Sequence, residues 1–270
     1  MRKTYAFLFI VLLMCLGCQW RLKPNDVAVG DHQVSVARYD RIESLYLTTG
    51  DRAALQQMNT AYPMQTRTLI EDVLRIGKVD DPEINIKFLR FFQDSTLQSL
   101  ISDVQQQYAD MQDIDDDLSE AFQRLVKVLP ALKAPQVYAQ IGSFDQSIIV
   151  GPRTLGISLD KYLGADYPFY RDHYTDDQRR MMVRSMIVPD CLGFFILSHF
   201  PLPAGTEQSK RERDLHMGKI QWVVNQVTQR TIFKNDVVRA VERYMRRHGH
   251  QTAEQLLLNV SEGELTGAGA

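Results

Sequence analysis

Cysteine is scarce in this chain, three in 270 residues, which excludes the disulfide-stapled scaffold of a small secreted domain. Neither sign of charge dominates. Thirty-one basic side chains stand against 33 acidic ones, so no basic excess exists to displace counterions from phosphates, and general nucleic-acid binding is excluded. Apolar runs are short: residues 5–16 (YAFLFIVLLMCL) span roughly 18 Å as a helix, against a hydrocarbon core of about 30 Å, so the chain is no polytopic membrane protein. Catalytic signatures are missing too. There is no His-Glu-x-x-His, no Gly-x-Ser-x-Gly elbow and no phosphate-binding Gly-x-x-x-x-Gly-Lys loop, so no cofactor is expected. What remains is 44% hydrophobic and 24% charged, the composition of a folded globular protein rather than a disordered one.

The N-terminus is asymmetric. Met1-Arg2-Lys3 precedes the apolar run, and Gly17-Cys18 follows it, the pattern of a secretory signal. Cys15-Leu16-Gly17-Cys18 resembles the lipobox of bacterial lipoproteins, with Cys15 where leucine is usual. That resemblance implies cleavage before Cys18 and acylation of its thiol, palmitate included, with the bilayer as a partner through Cys18. An ordinary signal cut near Gly17, or an uncleaved anchor, is the alternative. Removal of Arg2 and Lys3 leaves 29 basic against 33 acidic groups, and Cys191 as the one free thiol. In its apolar run Cys191 is expected to be a buried small hydrophobe.

The chain divides into a lipoprotein signal peptide over 1–17, a polar tether over 18–32, a globular body over 33–258 and a flexible tail over 259–270. Within the body, QVSVAR (33–38) alternates as a first strand should. Helical spacing follows in pieces: Ile42/Leu45/Tyr46, Leu55/Met58, Leu69/Val73/Leu74, Ile86/Leu89/Phe92 and Leu97/Leu100/Ile101/Val104. The acidic run from Asp113 fails as an EF-hand, since Leu118 and Arg124 occupy the sixth and twelfth positions. Those acids instead suit the first turn of a helix through Leu118, Phe122, Leu125 and Leu129. Residues 137–141, 147–150 and 154–159 read as an antiparallel hairpin or meander. Helices are expected over 176–200, interrupted or kinked at Pro189, and over 210–229 and 235–248. The fold class is α+β, one mainly helical domain around a small antiparallel sheet.

The run Leu155-Gly-Ile-Ser-Leu-Asp-Lys-Tyr-Leu-Gly164, then Asp166-Tyr-Pro-Phe-Tyr170, resembles the signature of the gliding-motility lipoprotein GldB family of Bacteroidetes. Val36-Ala-Arg-Tyr-Asp40, residues 55–63 ending in Tyr62-Pro63, residues 122–135 and Met217-Gly-Lys-Ile220 resemble further elements of that family in order. The family's C-terminal elements are not recognisable in 223–258. The resemblance implies an envelope lipoprotein, lipid-anchored and facing the periplasm, connected with gliding or with the machinery that supports it. With no catalytic signature in the chain, a non-enzymatic interaction component with an envelope protein partner is the first reading, and a diverged zincin-like hydrolase is the alternative.

Two site hypotheses remain open. In the first, Asp160 with Tyr162, Tyr167, Phe169 and Tyr170 lines a groove at the sheet edge that receives a partner segment by strand addition; the plainer reading packs these rings over the hairpin. In the second, a distantly zincin-like hydrolase uses Asp190, His199 and His216, although their spacing predicts no convergence and no metal is expected. His199 as a helix-end residue bonded to backbone carbonyls is the plainer reading there. Arg243, Arg246, Arg247, His248 and His250 form a basic helix end, suited either to the helix dipole or to anionic headgroups or an acidic partner.

Overall fold

A computed structural model describes residues 34–202 and 210–266. The signal over 1–17, Cys18 and the tether over 18–32 lie outside the described residues. The elements follow from local chemistry. After strand β1 (Val36–Ala37), helix α1 (Tyr39–Thr49) ends where Gly50 turns left-handed at φ 69° and its N–H returns to Tyr46. Asp51 caps α2 (Arg52–Ala61), and Pro63 opens α3 (Pro63–Thr68), which runs on into a π turn (Leu69–Val73). Helix α4 (Ile84–Phe91) precedes α5 (Ser95–Gln107), which Asp94 caps. Helix α6 (Gln112–Val128) carries Asp113 and Asp115 in its first turn and buries Ile114, Leu118, Ala121, Phe122 and Leu125 along one face.

Strands β2 (Gln136–Gln140), β3 (Ile148–Val150) and β4 (Thr154–Ser158) complete a sheet of order β1-β2-β4-β3. The expected antiparallel hairpin is present, but a wholly antiparallel meander is corrected. β1 and β2 run parallel, β2 and β4 run parallel with Gln140 opposite Ser158, and β3–β4 is the antiparallel hairpin. The sheet is therefore mixed. The physical reason is burial: Val137, Tyr138, Ala139, Leu155 and Ile157 are all buried, so β2 and β4 need cover on both faces and occupy the sheet centre. The partly exposed β3 takes the edge. Tyr138 lies across its register partner Gly156, where a Cβ would fall 2.5 Å from the ring.

Beyond a 3₁₀ turn (Leu159–Lys161), the chain forms α7 (Pro168–His173), α8 (Asp176–Met181), a second 3₁₀ turn (Arg184–Met186) and α9 (Ile187–His199). The helix expected over 176–200 is thus broken at Met182 and Val183, not kinked at Pro189. Pro189 sits in the first turn of α9, where its missing N–H would have had no helical partner. Leu45 and Ile86, expected in the core, are exposed (45% and 60%); Ile42 and Tyr46 take the core face of α1 instead.

Helices α10 (Lys210–Thr228), α11 (Asp236–Arg247), α12 (Ala253–Asn259) and α13 (Glu262–Thr266) close the fold. One face of α10 gives Ile220, Val223, Val224 and Val227 to the main core. Its other side gives Leu215 and Trp222 to a second, smaller cluster of Val241, Tyr244, Leu256, Val260 and Leu265. The tail expected from 259 is corrected to this extent: Val260 and Leu265 are buried, and 267–270 lie outside the described residues. Cys191 is buried as expected. No helix of the described residues is long and apolar enough to cross a membrane.

Candidate functional site

The polar residues of the signature run converge at the carboxyl ends of β2 and β4. There the β2–β3 loop holds Ser143 and Phe144 at φ 50° and 65°, a left-handed pair that non-glycine residues adopt at a cost. Asp160 offsets that cost. Its two oxygens accept the Gly142 and Phe144 amides at 2.7 and 2.6 Å. Successive amides in this geometry form an anion-binding concavity, and the anion here is the protein's own carboxylate. Lys161 donates to the Phe144 carbonyl at 3.1 Å, and Phe144 stacks on Phe169 with centroids 4.0 Å apart. Burial pushes the Asp160 carboxyl up, opposed by the amides it accepts.

The tyrosines complete the staple. Tyr162 donates its hydroxyl to Asp190 on α9 at 2.8 Å, and its carbonyl accepts from Tyr108 at 2.6 Å. Tyr170 donates to the Asp160 carbonyl and accepts from the Leu163 amide. Tyr167, partly exposed, donates to Asp103 on α5 at 2.9 Å. Asp160, Tyr162 and Tyr170 are fully or almost fully buried. The groove expected from them at a sheet edge is corrected accordingly: a segment docking there would meet none of these three side chains. The plainer reading holds, because a carboxylate flanked by apolar strands is buried once backbone amides bond to it.

A second buried acid sits nearby. Glu43 on α1 accepts the Ile141 amide at 3.0 Å, while its other oxygen accepts no bond among the described residues. Burial, reinforced by Asp40 and Asp160, raises its carboxyl well above the usual range.

The hydrolase candidates do not form a centre. Asp190 is engaged by Tyr162, and burial pushes it up to about 6. His199 Nδ1 lies 2.9 Å from the Phe195 carbonyl, and His216 Nε2 lies 2.7 Å from the Phe200 carbonyl. Among the described residues no group of three His, Cys, Asp or Glu side chains is placed to hold a metal ion.

Solvent-facing chemistry lies elsewhere, on α6. Two depressions of about 260 and 690 Å³ share Asp117, Val188 and Arg230, and so form one trough. Arg184 meets Asp113 through Nε and a terminal nitrogen at 2.9 and 2.6 Å and lies over the Tyr108 ring. Arg230 pairs with Asp117 at 3.1 Å, and Arg124 with Glu120 at 2.7 Å. Asp116 adds an acid bonded by Gln112 at 2.9 Å. The sequence expectation for these acids is only that they complement the dipole at a helix N-terminus. Their spacing carries the further signal: Asp113, Asp116, Asp117 and Glu120 share the face of α6 turned away from its core stripe.

The family model described as "Gliding motility protein GldB" matches residues 22–234. The chain belongs to the GldB family. The resemblance carried by residues 155–170 is thereby borne out, and this GldB-family chain is a gliding-motility-associated lipoprotein of the bacterial envelope. No curated protein and no solved structure matches it. The span matched to GldB includes the signature staple and the trough. It ends immediately before α11, leaving α11, α12 and α13 outside it.

Proposed function

We propose that this protein is anchored through acylated Cys18, with its globular body on the periplasmic side, and acts by binding an envelope protein partner rather than by catalysis. The anchor reading is supported by the basic, apolar and Cys15-Leu-Gly-Cys18 sequence of the N-terminus. One observation carries the binding reading. The candidates Asp160, Tyr162, Asp190, His199 and His216 are held by internal partners, while the α6 trough presents carboxylates and guanidiniums side by side to solvent. Mixed charge over apolar Val188 and Ile232 suits a partner segment carrying both signs. Tethering near a bilayer raises the effective concentration of the body for such partners.

The test is crosslinking in intact cells from photoreactive residues placed at Asp116 and Gln229, with palmitate-analogue labelling of the native chain and of Cys18→Ser. Expected are a specific envelope protein crosslinked from the trough and label lost on Cys18→Ser. Retained label would overturn the anchor. Stoichiometric zinc in purified protein, with hydrolysis lost on changing His199 or His216, would overturn the non-catalytic reading.

A further inference from the structure

Helix α11 is sharply two-sided. Val238, Val241 and Tyr244 are buried on one face. Arg239, Arg243, Arg246 and Arg247 lie on the opposite face within roughly 100° of arc, by the 3.6-residue period, over about 12 Å of helix. Arg239 pairs with Asp236, on the same face one turn toward the helix N-terminus, and Arg246 with Glu242 beside the face, yet the two arginines remain 58% and 78% exposed. Arg243 and Arg247 are exposed and form no ion pair among the described residues. The helix dipole accounts for basic residues in the last turn, which includes Arg246 and Arg247, but not for Arg239 and Arg243 further upstream.

We infer that this arginine face is a docking surface for anionic lipid headgroups. Two observations favour a bilayer over a folded partner. The four guanidiniums form an array along the outer face of one helix, and the two depressions beside α6 do not include α11. The helix is held by its own small core on the outer side of α10 and lies beyond the GldB-matched span. It is thus an added layer whose outer face the matched body does not cover. The inference rests on the envelope reading only for the presence of a bilayer, because the arginine contact itself needs no acyl chain. With both signals acting, the body would lie against the membrane in one orientation instead of hanging from a tether.

The test uses the chain from residue 18 onward with Cys18→Ser, so that no lipid contributes, sedimented with phosphatidylglycerol-rich and with pure phosphatidylcholine vesicles. Expected is salt-sensitive binding to the anionic vesicles alone. Each arginine removed is expected to weaken it about fivefold. The double variant Arg243→Gln/Arg247→Gln should then lose about twenty-five-fold with an unchanged circular-dichroism spectrum, and Arg→Lys at both positions should retain most of it. Equal binding to both vesicle types, or undiminished binding of the double variant, would overturn the proposal. So would arginine-dependent capture of polyglutamate without vesicle binding, which would make the face an acidic-protein site. Failure of Cys18 labelling leaves this vesicle result unaffected, so the two readings fail separately.

Discussion

The Tyr162 hydroxyl donates to the Asp190 carboxylate across 2.8 Å, joining the signature run to the first half of α9. Burial pushes Asp190 up to about 6 against this bond. Because the folded value exceeds the unfolded value of about 3.9, the group's stabilising contribution is full below pH 4 and is lost as pH rises through 6. Stability should therefore fall by about 2–3 kcal/mol from this group over that interval. Asp190→Asn should flatten the interval in urea-unfolding curves taken at successive pH values. An identical slope in the variant would remove Asp190 as the cause.

Asp160→Ala should cost about 2–5 kcal/mol, because two buried amides lose their acceptor and two left-handed residues lose their clamp. Chemical denaturation measures it. A change below 0.5 kcal/mol, on the order of an ordinary surface substitution, would show that the loop does not depend on this carboxylate.

Much of the fold is readable from residue pattern because its causes are local. Asp51, Asp94, Thr175, Asn235 and Thr252 all accept amides as helix caps, and the apolar stripe of α6 falls at helical spacing. Parallel pairing of β2 with β4 is not local. Alternation specifies which face of a strand is buried but not which strand lies beside it. Asp160 misleads for a related reason: an acid after a strand looks solvent-exposed until the left-handed loop that buries it is known. The trough is illegible along the chain because Arg184 and Arg230 come from segments far from Asp113 and Asp117 in sequence.

Gly218 on α10 is the contact point for α11; a Cβ there would lie 2.2 Å from a Val237 methyl. Gly218→Ala should destabilise by about 1–3 kcal/mol through overpacking. The loss should appear first as faster amide exchange in α11 and α12. Uniform exchange across the chain would mean that the two cores unfold as one unit.

Glu43→Gln should keep a side-chain oxygen for the Ile141 amide while removing a buried titration. With Glu43 raised in the folded state, its contribution is full at acid pH and lost on going to neutral pH. The variant should therefore match the parent near pH 4 and exceed it in stability at pH 7. A loss of stability at pH 7 would contradict the burial argument.

Val34, the first described residue, donates its amide to Ser119 on α6 at 3.0 Å and accepts the same hydroxyl at 2.7 Å. Two residues on, the Val36 amide reaches Asp115 at 2.8 Å, and β1 adds two register pairs to β2. Any pull along the preceding chain therefore reaches the body at one short strand pinned to one helix. Ser119 and Asp115 act there as a mechanical clasp: load enters the body through their bonds to β1, and α6 is the first core helix to receive it.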